Sequence, residues 1–114
     1  PLLPGQLKQV AKRVSMGLAR TGSTANESSG DIFFAFSTTG RAFDNKSGLE
    51  QWSVLPKWEL NPVYQATVEA TEEAVINALV AAETMVGMNE NKLYGIPHDR
   101  LKQVLEKYNR LIQK

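Results

Sequence analysis

Ser29 and Asp31 are the residues whose types and spacing best suit chemistry, in the turn that runs from Asn26 to Asp31. Side chains two apart in an extended segment project to the same side, so the hydroxyl and the carboxylate can face one site. Gly30 between them allows backbone or substrate to approach closely. A carboxylate can orient and polarise a serine hydroxyl, which can in turn hydrogen-bond a nucleophile or its amine. The alternative is an ordinary turn that caps a strand, because these residue types dominate turns.

Other kinds of site are disfavoured by composition. The chain has no cysteine, which excludes a disulfide framework, a thiolate nucleophile and thiolate metal sites. Its one histidine, His98, argues against a histidine-based metal cluster or a Ser-His-Asp triad within the chain, and a surface position in a first helical turn is predicted for it. Glutamates of the long predicted helix, such as Glu72 and Glu73, are expected to form a solvated face. No metal and no cofactor are therefore expected.

Charge and hydropathy limit the partners. The formal net charge is +1 over 114 residues, with acidic and basic residues interleaved, whereas nucleic-acid binders need a concentrated basic surface. No apolar run approaches membrane-spanning length. We therefore expect neither a nucleic-acid nor a membrane partner. The chain opens at Pro1 without an initiator methionine, which favours a processed or trimmed fragment.

Three helices and one clear strand are predicted to position these residues. Apolar side chains at three- and four-residue steps predict the helices, whereas a continuous apolar run rich in phenylalanine predicts the strand. Asn61 and Pro62 suit the start of the second helix, and Gly87 is expected to stop it. The predicted helices cover residues 5 to 20, 62 to 86, and a segment from near Pro97; the strand covers 31 to 38, and a second, weaker strand covers 51 to 55.

The strand over 31 to 38 carries the main structural inference. It is apolar on both faces, so both faces must be covered, and a single strand cannot satisfy its own edges. We infer that the sheet is completed by other chain, either upstream sequence or a partner subunit. The long helix presents a stripe of small residues that suits close packing: Ala66, Ala70, Ala74, Ala78 and Ala81.

An ordered set of short motifs resembles one family, the self-cleaving serine aminopeptidases of the L-aminopeptidase/D-alanine-esterase (DmpA) type, which include the β-peptidyl aminopeptidases. Each motif is weak by itself, but the set keeps its order over nearly the whole chain. The motifs lie at 1–4 with 6–8, at 17–22, at 29–33, at 35–38, at 72–75 with 77–78, and at 97–101. This chain resembles the C-terminal region, the small subunit.

The resemblance implies an α/β fold class: one partial domain, 1–114, of a four-layer α/β/β/α sandwich like that of the N-terminal-nucleophile hydrolases. In this family the precursor cuts itself between a glycine and a serine, and that serine becomes the nucleophile. The strand that the serine begins leads into the Pro-Leu-Leu-Pro segment, and this sequence opens at Pro1, after that strand. The nucleophile is therefore expected outside these residues, and the oxyanion-stabilising groups are expected on the large subunit.

Ser29 and Asp31 match the serine and the acidic residue that support the nucleophile in this family, although some members have Glu in place of Asp31. The implied function is removal of N-terminal residues from small peptides, amides or esters through an acyl-enzyme, without metal or cofactor. The implied partners are the large subunit and a small peptide or amino-acid amide substrate, in a homo-oligomer of heterodimers.

Two alternative functions stay open on the residues alone. The related ornithine acetyltransferases share the architecture and self-cleavage but use a threonine nucleophile. A non-catalytic helical interaction module would leave the Ser-Gly-Asp turn purely structural. A cytoplasmic location is expected, and the periplasm is compatible with the lack of cysteine.

Overall fold

The computed structural model describes residues 1–38 and 53–111. Contacts divide the chain into two units, Pro1–Glu73 and Ala74–Lys114, which we treat separately. Within the described residues, no helix is both long and apolar enough to cross a membrane. The regular elements are the helices α1 (Pro4–Arg20), α2 (Asn61–Ala81) and α3 (His98–Lys107) and the two-residue strands β1 (Met85–Val86) and β2 (Lys92–Leu93).

Helix α1 confirms the predicted first helix. Pro4 occupies the first turn, where its missing N–H costs no helical hydrogen bond. The apolar stripe that includes Leu7, Val14 and Leu18 is half-buried. At the other end Gly22 adopts a φ of 99°, and its N–H donates to the Ala19 carbonyl at 3.1 Å. A residue with positive φ after the last turn is the usual way for a helix to stop.

Gly17 sets the distance between α1 and α2. It is the buried residue of α1, and a β-carbon placed on it would lie 2.5 Å from Cβ of Thr71 and 2.7 Å from the Val68 carbonyl oxygen. The two helices therefore approach more closely than any residue with a side chain would permit. Beside this contact, the guanidinium of Arg13 lies 4.1 Å from the centre of the Tyr64 ring. Arg13 thus packs against α2.

The start of the chain is tied to the segment that leads into α2. Gln6 accepts a hydrogen bond from the Leu3 N–H at 2.8 Å and donates one to the Leu55 carbonyl at 2.7 Å. The Leu55 N–H in turn donates to the Pro1 carbonyl at 3.1 Å. These bonds hold residues 53–55 beside the chain start without forming a strand. The predicted second strand is therefore wrong for 53–55, and residues 51 and 52 lie outside the described part.

The predicted strand at 31–38 has no ladder partner among the described residues, and no strand is assigned to it. Side-chain exposure nevertheless alternates as in an extended segment, since Phe33 and Ala35 are half-buried. Ile32, Phe34 and Phe36 are 91%, 82% and 69% exposed. A strand needs a hydrogen-bonded neighbour, and residues 1–38 and 53–111 supply none here. The segment therefore has one face covered and the other open.

Helix α2 starts where the sequence predicted but ends five residues earlier than predicted, at Ala81 instead of 86. Gly95 lies so close to the chain after the helix that a β-carbon on it would be 2.6 Å from the Ala82 carbonyl oxygen. Its N–H donates to the Thr84 hydroxyl at 3.1 Å. These contacts draw the chain out of the helix and into β1, which pairs with β2 in antiparallel register. The prediction failed because a non-local contact ended the helix.

The faces of α2 also differ from the prediction. Thr71, expected on the solvated face, is half-buried against Gly17. The stripe of alanines expected to pack closely is exposed throughout the described structure. Helix α3 begins after Pro97 as predicted, but it ends at Lys107 and leaves Tyr108 and Leu111 outside the helix.

The hydrophobic core of the described residues is small. Leu60 and Val68 are the buried apolar residues there, at 2% and 9% exposure, and no described residue of the second unit is buried. An isolated domain of this size normally buries roughly two thirds of the surface of its unfolded chain. This core is too small to hold such a domain together.

We therefore predict that the 114-residue polypeptide, produced alone, is insoluble or molten. Its near-UV circular dichroism should be weak, and heating should give no cooperative transition, because few side chains are fixed by packing. A single sharp thermal transition from the isolated polypeptide would contradict this prediction.

Gly17→Ala should destabilise the intact protein that contains this chain. We expect a loss of about 1–3 kcal/mol, because the added methyl group must displace the backbone of α2. Thermal unfolding of the variant measures the effect. Gly5→Ala is the matched control: it lies in the same helix with no atom within 4 Å of the added carbon, so it should be neutral or stabilising. Equal melting temperatures for Gly17→Ala and wild type would contradict the close approach.

Candidate active site

Ser29 and Asp31 form a direct hydrogen bond. The Ser29 hydroxyl donates to Oδ2 of Asp31 at 2.6 Å, a distance typical of a hydroxyl bonded to a charged carboxylate. The sequence predicted that these two side chains project to the same side, and the hydrogen bond confirms it, whereas their role in a site stays a prediction. Both residues are exposed in the described structure. Because the hydroxyl proton points to the carboxylate, the lone pairs of Ser29 Oγ remain available to accept a hydrogen bond from another group.

A tight turn holds the backbone just before this pair. The Ser29 N–H donates to the Asn26 carbonyl at 2.7 Å, which closes the turn over residues 26–29. The loop that leads into the turn starts from the last turn of α1: the Ser23 N–H donates to the Leu18 carbonyl at 3.2 Å, and the Thr21 hydroxyl donates to the same carbonyl at 2.8 Å. The pair is therefore connected to α1 through a hydrogen-bonded loop.

The pair lies at the wall of a cavity of about 400 Å³. One side of this cavity is the C-terminal half of α1, and the other is the loop that leads to Ser29 and Asp31, with Phe33 beyond them. It belongs entirely to the first unit, and it is lined by Ser15, Leu18, Ala19, Ser23, Thr24, Ala25, Asn26, Ser29, Asp31 and Phe33.

His98 contacts a backbone carbonyl of α2 and not a side chain that could take part in catalysis. As predicted, it lies exposed in the first turn of α3. Its Nε2 lies 2.9 Å from the carbonyl oxygen of Val80, one of the last carbonyls of α2. The imidazole therefore donates to a C-terminal carbonyl of α2, where helix carbonyls have no partner within the helix. The sequence offers no signal for this contact, which joins residues 18 positions apart.

Metal ligation finds no support in the described residues. No group of three or more histidine, aspartate or glutamate side chains is assembled within 1–38 and 53–111. Glu72 instead forms an ion pair with Arg20 at 3.1 Å, linking α2 to the end of α1.

The sequence analysis assigned no role to Thr24 and named Asn26 only as the start of the turn. The Thr24 hydroxyl donates to Oδ1 of Asn26 at 2.8 Å, and both residues line the cavity that Ser29 and Asp31 line. Ala25 between them has a φ of 48°, a conformation that residues with a side chain rarely adopt. No pattern of residue types predicts that an alanine takes this conformation, so this hydrogen bond could not be foreseen.

Solved structures show the fold class to which this chain belongs. It aligns with the l-aminopeptidase d-Ala-esterase/amidase of Ochrobactrum anthropi at a TM-score of 0.88 and 40% identity, covering 98% of this chain and 32% of that one. That protein is described as a prototype for the serine aminopeptidases and a new variant among the Ntn hydrolase fold. The PH0078 protein of Pyrococcus horikoshii OT3 also aligns at 0.88, with 42% identity over 96% of this chain and 31% of that one. The expected fold class, a partial α/β domain of this type, is confirmed.

Sequence comparison then identifies the family. Residues 1–93 match the family model described as Peptidase family S58, and the chain belongs to that family. It is also 41% identical over 112 residues to the β-peptidyl aminopeptidase BapA of Sphingosinicella microcystinivorans. That alignment covers 97% of this chain but 28% of the relative, so the chain spans less than a third of the length of the aminopeptidase that it matches.

Proposed function

We propose that the protein containing this chain is a serine aminopeptidase or amidase that removes N-terminal residues from small peptides, amides or esters. The observation that carries the proposal is the 2.6 Å hydrogen bond from Ser29 to Asp31 beside a cavity. Membership of a peptidase family and identity to a β-peptidyl aminopeptidase support the same reaction. They favour it over acetyl transfer by an ornithine-acetyltransferase-like enzyme and over a non-catalytic module.

In this proposal Ser29 and Asp31 support a nucleophile that lies outside the chain. Asp31 accepts a hydrogen bond from the Ser29 hydroxyl and thereby fixes the direction of the O–H bond. Ser29 Oγ then accepts a hydrogen bond from the nucleophilic serine or from its free α-amine. This orients the attacking oxygen before bond formation, and pre-orientation is a large contribution to rate enhancement. Ser29 contacts the reacting group, whereas Asp31 acts through Ser29.

The bond changes follow from acyl transfer. The nucleophilic hydroxyl attacks the substrate carbonyl and gives its proton to the neighbouring α-amine, which passes it to the departing amine as the scissile bond breaks. Water then attacks the resulting ester and regenerates the serine. The same hydroxyl would cut the precursor at the bond before it, but in that step the α-nitrogen is still part of the scissile amide and acts as the leaving group, not as the base. Neither step requires a metal or a cofactor.

The remaining partners follow from the same proposal. An upstream part of the precursor, the large subunit, supplies the oxyanion-stabilising groups and covers the open apolar face of residues 31–38. The heterodimers assemble into a homo-oligomer, and the substrate is a small peptide or amino-acid amide. We propose a cytoplasmic location, with the periplasm as the alternative, since a chain without cysteine suits either compartment.

Ser29→Ala and Asp31→Ala, introduced in the full precursor, should lower kcat/KM or slow self-cleavage by roughly 100-fold to 10,000-fold, since each removes one link of the proton-positioning pair. Hydrolysis of an aminoacyl p-nitroanilide measures turnover, and gel analysis of precursor and subunits measures processing. Asp31→Glu keeps the carboxylate and should retain more activity than Asp31→Ala.

Glu73→Gln is the control, because it neutralises an exposed carboxylate on α2 and should leave turnover and processing unchanged. Near-normal turnover together with correct processing in both Ser29→Ala and Asp31→Ala would remove the role assigned to the pair.

A further inference from the structure

The Ser29–Asp31 pair is held by contacts that begin three residues before it. The turn over 26–29 is closed by the bond from the Ser29 N–H to the Asn26 carbonyl. The position of Ser29 therefore depends on the position of Asn26. Any displacement of the Asn26 backbone would move Ser29 Oγ by a similar amount.

A hydrogen bond to its side chain holds Asn26 in place. Its Oδ1 accepts the Thr24 hydroxyl at 2.8 Å, while its main-chain carbonyl accepts the Ser29 N–H at 2.7 Å. A single residue thus connects the Thr24 hydroxyl to the backbone of Ser29. Thr24 follows Ser23, whose N–H is bonded to the end of α1, so the connection runs from α1 to the pair.

The backbone between Thr24 and Asn26 is in a disfavoured conformation. Ala25 has a φ of 48°, and its N–H has a long contact of 3.4 Å to the Ser23 hydroxyl. An alanine adopts positive φ at a steric cost, and such conformations persist where surrounding contacts impose them. The Thr24–Asn26 bond spans this residue and closes the bend that the conformation produces.

We propose that Thr24 and Asn26 are positioning residues for the reaction, acting through Ser29. The Thr24 hydroxyl holds Asn26, and Asn26 holds the turn that aims Ser29 Oγ toward the nucleophile. Both residues line the cavity beside Ser29 and Asp31, so a shift of the loop would also change the shape of this wall. This inference rests on the proposed function of the Ser29–Asp31 pair.

The test is Thr24→Val in the intact enzyme, which removes the hydroxyl and keeps the shape of the side chain. For hydrolysis of an aminoacyl p-nitroanilide, kcat should fall by about 10-fold to 100-fold, because a misplacement of the order of 1 Å costs this much, while KM stays nearly constant. Thr24→Ser restores the donor and should recover most of kcat. Thr67→Val is the matched control: its hydroxyl donates to the Val63 carbonyl within α2, so kcat should be unchanged.

The outcomes separate a positioning role from a structural one. Three outcomes would each overturn the proposal. The first is a wild-type kcat in Thr24→Val, and the second is no recovery of kcat in Thr24→Ser. The third is a loss of kcat that parallels a loss of folded enzyme. If Thr24→Val is not processed, a precursor that melts at the wild-type temperature supports it, and one that melts earlier overturns it. If kcat falls in Ser29→Ala but stays at the wild-type value in Thr24→Val, the result refutes this inference and leaves the proposed function standing. Normal kcat and processing in both Ser29→Ala and Asp31→Ala would refute the role of the pair, on which this inference rests.

Discussion

The contact of Gly17 with the backbone of α2 fixes the distance between the two long helices, and the first of them, α1, forms one side of the candidate site. A β-carbon on Gly17 would lie within 2.7 Å of the Val68 carbonyl oxygen, so α1 could not keep its place with a larger residue there. The loop that carries the site is bonded to the last turn of α1 through Ser23. A shift of α1 would therefore be passed along that loop to Ser29. The packing of α1 on α2 therefore positions the helix from which the loop of the site starts.

In the described structure, the extended segment after Asp31 has one uncovered face, and the Ser29–Asp31 pair has no nucleophile beside it. The uncovered face and the pair lie next to each other. The segment after Asp31 has Phe33 and Ala35 partly covered and exposes Ile32, Phe34 and Phe36, so its outer face has the character of a surface that another layer covers. The Ser29–Asp31 hydrogen bond at the start of the segment leaves lone pairs on Ser29 that point to no described group. In the proposed function, the remainder of the precursor supplies both the layer that covers this face and the nucleophile.

Sequence could predict what local spacing determines, and it failed where distant contacts decide. Helix α1 and the start of α2 follow from periodicity and end signals, and the pairing of Ser29 with Asp31 follows from their spacing. The end of α2 at Ala81 depends on Gly95, which lies 14 residues after the last helical residue and packs against Ala82. The predicted strand at 31–38 was assigned from composition, whereas a strand requires a neighbour that the described residues lack. The Thr24–Asn26 bond depends on an alanine with positive φ, which residue type disfavours.

The central claim is that Ser29 supports a nucleophile that is not part of these 114 residues. Labelling the native, active enzyme with a serine-reactive sulfonyl fluoride and mapping the adduct by peptide mass spectrometry tests it directly. The account predicts one stoichiometric adduct, on the N-terminal serine of a subunit whose first residues precede Pro1, with Ser29 unlabelled. An adduct on Ser29, or on any other serine of this chain, would contradict the account, because the attacking hydroxyl would then lie within the chain.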